Sequence, residues 1–206
     1  MSPSISTVIV TVSDRIAWAQ QLAELTAGVI SLDTAHRGAA YGHHAALTIG
    51  LTSDASHICI LEDDAILCDR FTTRIAELVS LRPDHLIGLY VGAGDNQTVQ
   101  RRIPTAITAS RGPFLELATR QLHWAVGYLI PRIDIPNVLP SLETAPLHCR
   151  WADRLIGRWH GRNGRLSYAW PPLVDHRDAP SVNGTSLTTS RRAWSFAGVG
   201  EHPASA

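Results

Sequence analysis

Lysine is missing from this chain: all 18 basic residues among its 206 are arginines. No lysine Schiff base can form and no ammonium can clamp a phosphate, so phosphate contacts would have to come from Arg, backbone N–H groups or a metal ion. Cysteine is scarce. Cys59, Cys68 and Cys149 show neither metal-site spacing nor an even disulfide framework, and are expected to be reduced thiols of a cytosolic protein. Charge of either sign is not in excess, since 18 acidic residues balance the arginines. That removes any global electrostatic pull toward nucleic acid or an anionic membrane. No apolar run is long enough to span a bilayer, and Met1-Ser-Pro-Ser-Ile-Ser6 lacks the basic start and apolar core of a signal peptide. The expectation is a soluble, cytoplasmic protein.

The 45% hydrophobic content is ample for the core of one domain. Its centre of interest is His57-Ile-Cys-Ile-Leu-Glu-Asp-Asp-Ala-Ile-Leu67. The apolar run Ile58 to Leu61 suits a central strand of a parallel sheet, buried on both faces. It runs into three consecutive carboxylates, Glu62, Asp63 and Asp64, which repel one another unless a cation or hydrogen-bond donors meet them. Ligands of open α/β sheets bind beyond the carboxyl ends of the strands, where these acids would sit. Hard oxygen ligands suit Mg²⁺ or Mn²⁺, ions commonly shared with the phosphates of a nucleotide. A solvated turn would explain the three acids equally well if they stood alone.

The remaining segments frame an α/β domain. Thr7-Val-Ile-Val-Thr-Val12 reads as a buried strand, Ser13-Asp14 as the cap of a helix over about 16–26, and Gly28-Val-Ile-Ser-Leu-Asp33 as a second strand. Ser13, Asp14, Arg15 and Asp33 then lie at strand ends, where a nucleotide could rest or where they simply cap and solvate. An Ala-rich helix follows His36, with Gly38, Ala39, Ala40 and Gly42 small enough for close approach to a ligand. Its His43-His44 pair could face a phosphate or pack internally. Phe71, Ile75, Leu78 and Val79 form a helical stripe over 70–81. Leu86-Ile-Gly-Leu-Tyr-Val91 is a further strand, and the Gly92–Asn96 loop after it lacks the pattern of a dinucleotide fingerprint. Ile103–Ala109 is expected as an edge strand, Leu122–Ile130 as a strand stopped by Pro131, and 136–142 as a helix.

Between 146 and 165, Arg150, Arg154 and Arg158 recur at helical spacing with Trp151 and Trp159 among them, and Arg162 and Arg165 extend the basic character. This is either a phosphate- or base-binding stripe or a solvated helix face. Leu166-Ser-Tyr-Ala-Trp170 is a late strand. The domain is expected over 1–182, followed by an irregular tail over 183–206, rich in Ser, Thr, Gly and Pro, able to wrap the domain or close over a site.

Four blocks in this order resemble glycosyltransferase family 25, the sugar-nucleotide transferases of lipopolysaccharide biosynthesis and collagen galactosylation. They are Tyr41-Gly-His-His-Ala-Ala-Leu47, Ile60-Leu-Glu-Asp-Asp-Ala-Ile-Leu67, Ala125-Val-Gly-Tyr-Leu-Ile-Pro-Arg132 and Trp170-Pro-Pro-Leu-Val174, with Ser181 near a downstream Ser. The second block is specific by itself; the others gain weight from their order. His43 stands where the family has Ser before its His, and His176 is not inherited from the family pattern.

The resemblance implies a GT-A fold: one Rossmann-like nucleotide-diphospho-sugar transferase domain with a mainly parallel central sheet. It implies that Asp64 binds a divalent cation (Mn²⁺ or Mg²⁺), while Glu62 or Asp63 meets the donor ribose or a metal-bound water. His44 falls at a donor-binding position, and His176 is placed to complete the metal shell, as a late His does in many GT-A enzymes. Transfer with inversion needs a base opposite the leaving group, and Asp153 in Trp151-Ala-Asp-Arg154 is the candidate. The expected partners are a nucleotide-diphosphate sugar donor and a hydroxyl acceptor on an envelope glycan or a protein. The Arg/Trp stretch leaves hydroxylated DNA bases as another acceptor. A catalytically silent binding module and a metal-dependent phosphohydrolase are the readings from other classes.

Overall fold

The computed structural model describes residues 3–93, 97–117, 119–146, 149, 151–177 and 191–196. Ser181, Arg150, the 94–96 part of the Gly92 loop and most of the expected tail lie outside the described residues. In chain order the elements are β1 (Ile5–Val12), α1 (Ile16–Thr26), β2 (Val29–Asp33), α2 (Ala39–Leu51), β3 (His57–Glu62), β4 (Ala65–Leu67), α3 (Phe71–Leu81), β5 (Leu86–Gly88), α4 (Gln97–Ala109), β6 (Phe114–Leu115), β7 (Gly127–Pro131), α5 (Ile135–Glu143), α6 (Ala152–Arg162), β8 (Leu166–Ala169) and β9 (Val174–His176).

Seven strands form one sheet in the order β2-β1-β3-β7-β5-β8-β6. β1, β2, β3, β5 and β8 point the same way, while β7 and β6 run against them. The sheet is therefore mainly parallel, as expected, within an α/β architecture. The apolar run of β3 explains its central place: Ile58, Ile60 and Leu61 are wholly buried. Each contributes about 1.5–3 kcal/mol by burial, enough to hold the strand rigid where its acidic end begins.

Strand alternation sends odd and even residues to opposite faces of the sheet. On β1, Val10 meets α2 so closely that a Cβ on Gly42 would lie 2.9 Å from its Cγ1. Gly42 thus serves helix-on-strand packing rather than approach to a ligand. On β3, Ile58 touches α2 at Gly50, so Ile60 and Glu62 share that face, while Cys59, Leu61 and Asp63 turn to the other. α2, α5 and α6 pack on one another.

A separate two-stranded ribbon pairs β4 with β9, antiparallel, with Ala65 opposite His176 and Leu67 opposite Val174. This ribbon was not expected from the sequence, and it carries the late histidine back to the acidic turn.

Three expectations are corrected. Ser13 and Asp14 do not cap α1; with Arg15 they form a 3-10 turn, and no side chain caps either helical start. Ile103–Ala109 is not an edge strand but the second half of α4: Val99 and Ile103 are buried and Ala106 and Ile107 pack on the core, a helical period carried across Pro104. The strand expected over Leu122–Ile130 begins only at Gly127, where pairing with β3 and β5 starts, although the Glu62 N–H still reaches the Val126 carbonyl at 2.9 Å.

Candidate functional site

The alternation along β3 sorts the three carboxylates. Glu62, on the α2 face, accepts from His43 Nε2 at 3.2 Å, and His43 Nδ1 lies 3.2 Å from the Tyr128 hydroxyl. With a proton on Nε2 the ring donates to Glu62, and the Tyr128 hydroxyl, able to donate or accept, meets Nδ1. Asp63, on the opposite face, accepts from Thr11 Oγ1 at 2.8 Å and from Arg15 Nη1 at 3.1 Å. Asp64 lies past the strand end and meets Arg15 Nη1 at 2.9 Å and His176 Nε2 at 3.4 Å. Each acid has its own partner, which is how three adjacent carboxylates coexist.

Their electrostatics differ accordingly. Burial pushes the Asp64 carboxyl up to about 6, with the nearby charge of Glu62 adding to the effect and His176 and Arg15 opposing it. Burial also raises Asp63, against the bonds from Thr11 and Arg15. Glu62 is the exception. Burial acts to raise it, but the hydrogen bond and charge of His43, with His176 and Arg191, bring it below its ordinary value.

Glu62, Asp64 and His176 each turn one ligand atom into a common space, all within 4.8 Å of one another. Two observations fit a divalent cation there. Asp64 Oδ1 is buried with no hydrogen-bond partner, an arrangement that costs free energy unless a cation or donor meets it. His176 Nδ1 lies 2.5 Å from the Arg177 carbonyl oxygen. In the neutral ring, a proton on Nδ1 donated to that carbonyl leaves the Nε2 lone pair facing Asp64, where it can meet a cation. A histidine held by a backbone carbonyl through its far nitrogen is the usual arrangement of a metal ligand.

The chain returns to this site from its C-terminal part. Asp175, beside His176, accepts from Arg192 Nη1 at 3.1 Å and from the Ala193 N–H at 2.7 Å. Trp194 N–H donates to the Val91 carbonyl at 2.8 Å, and Tyr90 hydroxyl to that of Arg191. The described part of the expected tail therefore docks on the strand-end segment 90–93, and Arg191 adds positive charge near Glu62.

Arg15, Glu62, Asp63, Asp64 and His176 are thus brought together. The other candidates lie apart. Ser13 and Asp14 are exposed on the turn after β1. Asp33 is buried and occupied locally, accepting from the N–H groups of Ala35 and Arg37 and from Arg37 Nε. Among the described residues no hydrogen bond or ion pair joins the His44 ring to the acids; its neighbour His43 makes that contact. Asp153 stands in the first turn of α6, where its Oδ1 accepts the Arg154 N–H at 2.8 Å. His160, late in α6, lies 3.2 Å from Asp134 just before α5, and Asp153 stands at the opposite end of α6 from that contact.

Sequence reasoning missed Thr11, Tyr128, Asp175 and Arg191, and of the His43-His44 pair it assigned the site role to His44. His43 was findable: with Ala46, Leu47 and Gly50 it keeps the i, i+3, i+4, i+7 spacing of the buried stripe of α2, which His44 does not.

No protein-family model matches the chain, and no curated protein does. Among solved structures it is similar to A197 from STIV, at 12% identity over 86% of each chain with a TM-score of 0.49. It is also similar to a protein assigned as a glucose-1-phosphate thymidylyltransferase from Bacillus anthracis, solved with sucrose, at 10% identity over 84% of this chain and 89% of that one, TM-score 0.43. A third is a mannose-1-phosphate geranyltransferase from Thermus thermophilus, at 11% identity over 79% of this chain and 58% of that one, TM-score 0.40. The functional reading therefore rests on the residues of the site.

Proposed function

We propose that this chain is a divalent-cation-dependent, inverting glycosyltransferase of the GT-A type, moving a sugar from a nucleotide-diphosphate donor to a hydroxyl acceptor. The observation that carries the reading is the convergence of Glu62, Asp64 and His176, one ligand atom of each lying within 4.8 Å of the others, with Asp64 Oδ1 buried and without a hydrogen-bond partner. Asp64 and His176 would hold the Mn²⁺ or Mg²⁺. When bound, the ion stabilises negative charge on the departing diphosphate without proton transfer.

The chain's own residues supply the rest. His43, fixed by Tyr128, orients Glu62 toward the donor or a water on the ion. Arg15 bridges Asp63 and Asp64 and offers the charge that a donor phosphate would share. Ser13, Asp14 and Asp33 lie at the ends of β1 and β2, the rim on which nucleotides rest in α/β sheets. Asp153 is the proposed base: it takes the proton as the acceptor oxygen bonds to the anomeric carbon and the bond to the β-phosphate breaks. The sequence resemblance favours an envelope glycan or a protein as acceptor.

The test is a screen of nucleotide sugars with Mn²⁺, reading nucleoside-diphosphate release, with chelator and Asp64→Asn controls. Release from one donor, abolished by both controls, is expected. Release of inorganic phosphate without any acceptor would instead establish a phosphohydrolase. Silence from every donor, together with no donor-induced thermal shift, would overturn the enzyme reading in favour of a binding module.

A further inference from the structure

A second concave feature lies away from the acids, between α5 and α6. It is a cleft of about 700 Å³ whose polar wall carries Arg120, Arg154, Arg158 and Arg162, with Trp151 and Cys149 at its rim. No carboxylate is among its described lining residues. In a chain whose formal charge is zero, four guanidinium groups around one cleft are a local concentration of positive charge.

The packing of α6 explains why they gather there. Gly157 and Gly161 press the helix backbone against the backbone of Leu122 and Arg120, leaving no room for a Cβ at either position. That contact fixes the rotation of α6, and Arg154, Arg158 and Arg162, at i, i+4 and i+8, come to share one side of it. Eight residues of helix span about 12 Å, so the row is longer than one phosphate needs. Trp151 is 54% exposed, and the Arg154 guanidinium lies 4.0 Å from its ring centroid. A row of cations beside an open aromatic ring is the arrangement that tracks a phosphodiester chain while a base stacks.

We propose that this cleft binds a single-stranded segment of nucleic acid, the arginine row meeting successive phosphates and Trp151 stacking on a base.

The probe is a short fluorescein-labelled oligothymidylate, followed by polarisation over a salt series. Arg158→Glu with Arg162→Glu is the informative variant, since both side chains are exposed and neither belongs to the acidic site. It should weaken binding at least tenfold and flatten the salt dependence by about 1.4 in log–log slope, roughly 0.7 for each lost phosphate contact. Trp151→Ala should weaken binding about tenfold at every salt concentration. Bound oligonucleotide should slow maleimide labelling of Cys149. Binding unchanged in the double variant, with an unaltered melting curve, would overturn the proposal. So would inorganic polyphosphate competing as well as the oligonucleotide, because it has charge and no base. Asp64→Asn separates the two claims: it should bind oligonucleotide normally while losing donor turnover. A wild type that turns over no donor but binds the oligonucleotide would sink the transferase reading and leave the cleft assignment standing.

Discussion

The strained ionisation of Asp64 makes a prediction of unusual sign. Burial lifts this carboxyl from 3.8 to about 6, which corresponds to about 3 kcal/mol between its charged and neutral forms. Because the folded value lies above the unfolded one, Asp64 favours the fold when protonated. That contribution is complete below about pH 4 and is lost as the pH rises through 6. At neutral pH the charged group therefore opposes folding, and a neutral side chain of the same shape relieves it. Asp64→Asn should raise the melting temperature of cation-free protein near pH 7.5 by several degrees, taking about 1–3 kcal/mol and roughly 2–4 °C per kcal/mol for a chain of this size. Arg15 keeps Asp63 as a partner at 3.1 Å, so its charge is not stranded. The gain should shrink to roughly a third near pH 4.5, where the folded carboxyl is protonated and the unfolded one is not, and vanish below about pH 4. Manganese should reverse the ranking: it stabilises the wild type near pH 7.5 by mass action, and leaves the variant unmoved. Differential scanning fluorimetry of chelator-treated protein at both pH values, with and without Mn²⁺, reads all four states. A lower melting temperature for the cation-free variant at neutral pH would refute the reasoning, because Asp64 would then be a net stabilising partner of Arg15 and not a poised ligand.

Three further outcomes are expected. His43→Ala should cost about 2–4 kcal/mol in urea unfolding, since it opens a cavity and strips a partner from both Tyr128 and Glu62; a loss under about 1 kcal/mol would show the histidine to be incidental. Gly157→Ala should abolish soluble folded protein, judged by yield and circular dichroism, because the added Cβ would overlap the Leu122 backbone, which has no rotamer to yield. Native thiol titration should find Cys149 reactive first and Cys59 silent until unfolding, since burial pushes the Cys59 thiol up to about 12; rapid modification of Cys59 would contradict the packing of β3.

How far the sequence could be read depends on whether a signal was local. The apolar run of β3 and the stripe Phe71, Ile75, Leu78 and Val79 of α3 announce themselves through periodicity, and both stand where expected. Arg15, Glu62, Asp63, Asp64 and His176 were all named from the sequence, yet how they divide among partners depends on strand parity and on the β4–β9 ribbon. A three-residue ribbon offers no period to detect. α4 was misread because Ile103, Thr105, Ile107 and Thr108 are β-branched around a proline, so local propensity opposed a helix that tertiary packing imposes. The docking of 191–196 on Tyr90 and Val91 joins residues about a hundred positions apart, and no spacing rule reaches that far.

The sorting of acids along β3 makes the order of its letters matter as well as their number. Exchanging Glu62→Asp and Asp63→Glu would leave composition, net charge and strand propensity nearly untouched. The shorter carboxylate would nevertheless stop short of His43, and the longer one would crowd Thr11 and Arg15. Glu-Asp-Asp is thus a phrase with grammar: each acid is addressed to a different wall of the site, and a permutation with identical chemistry would misdeliver two of the three.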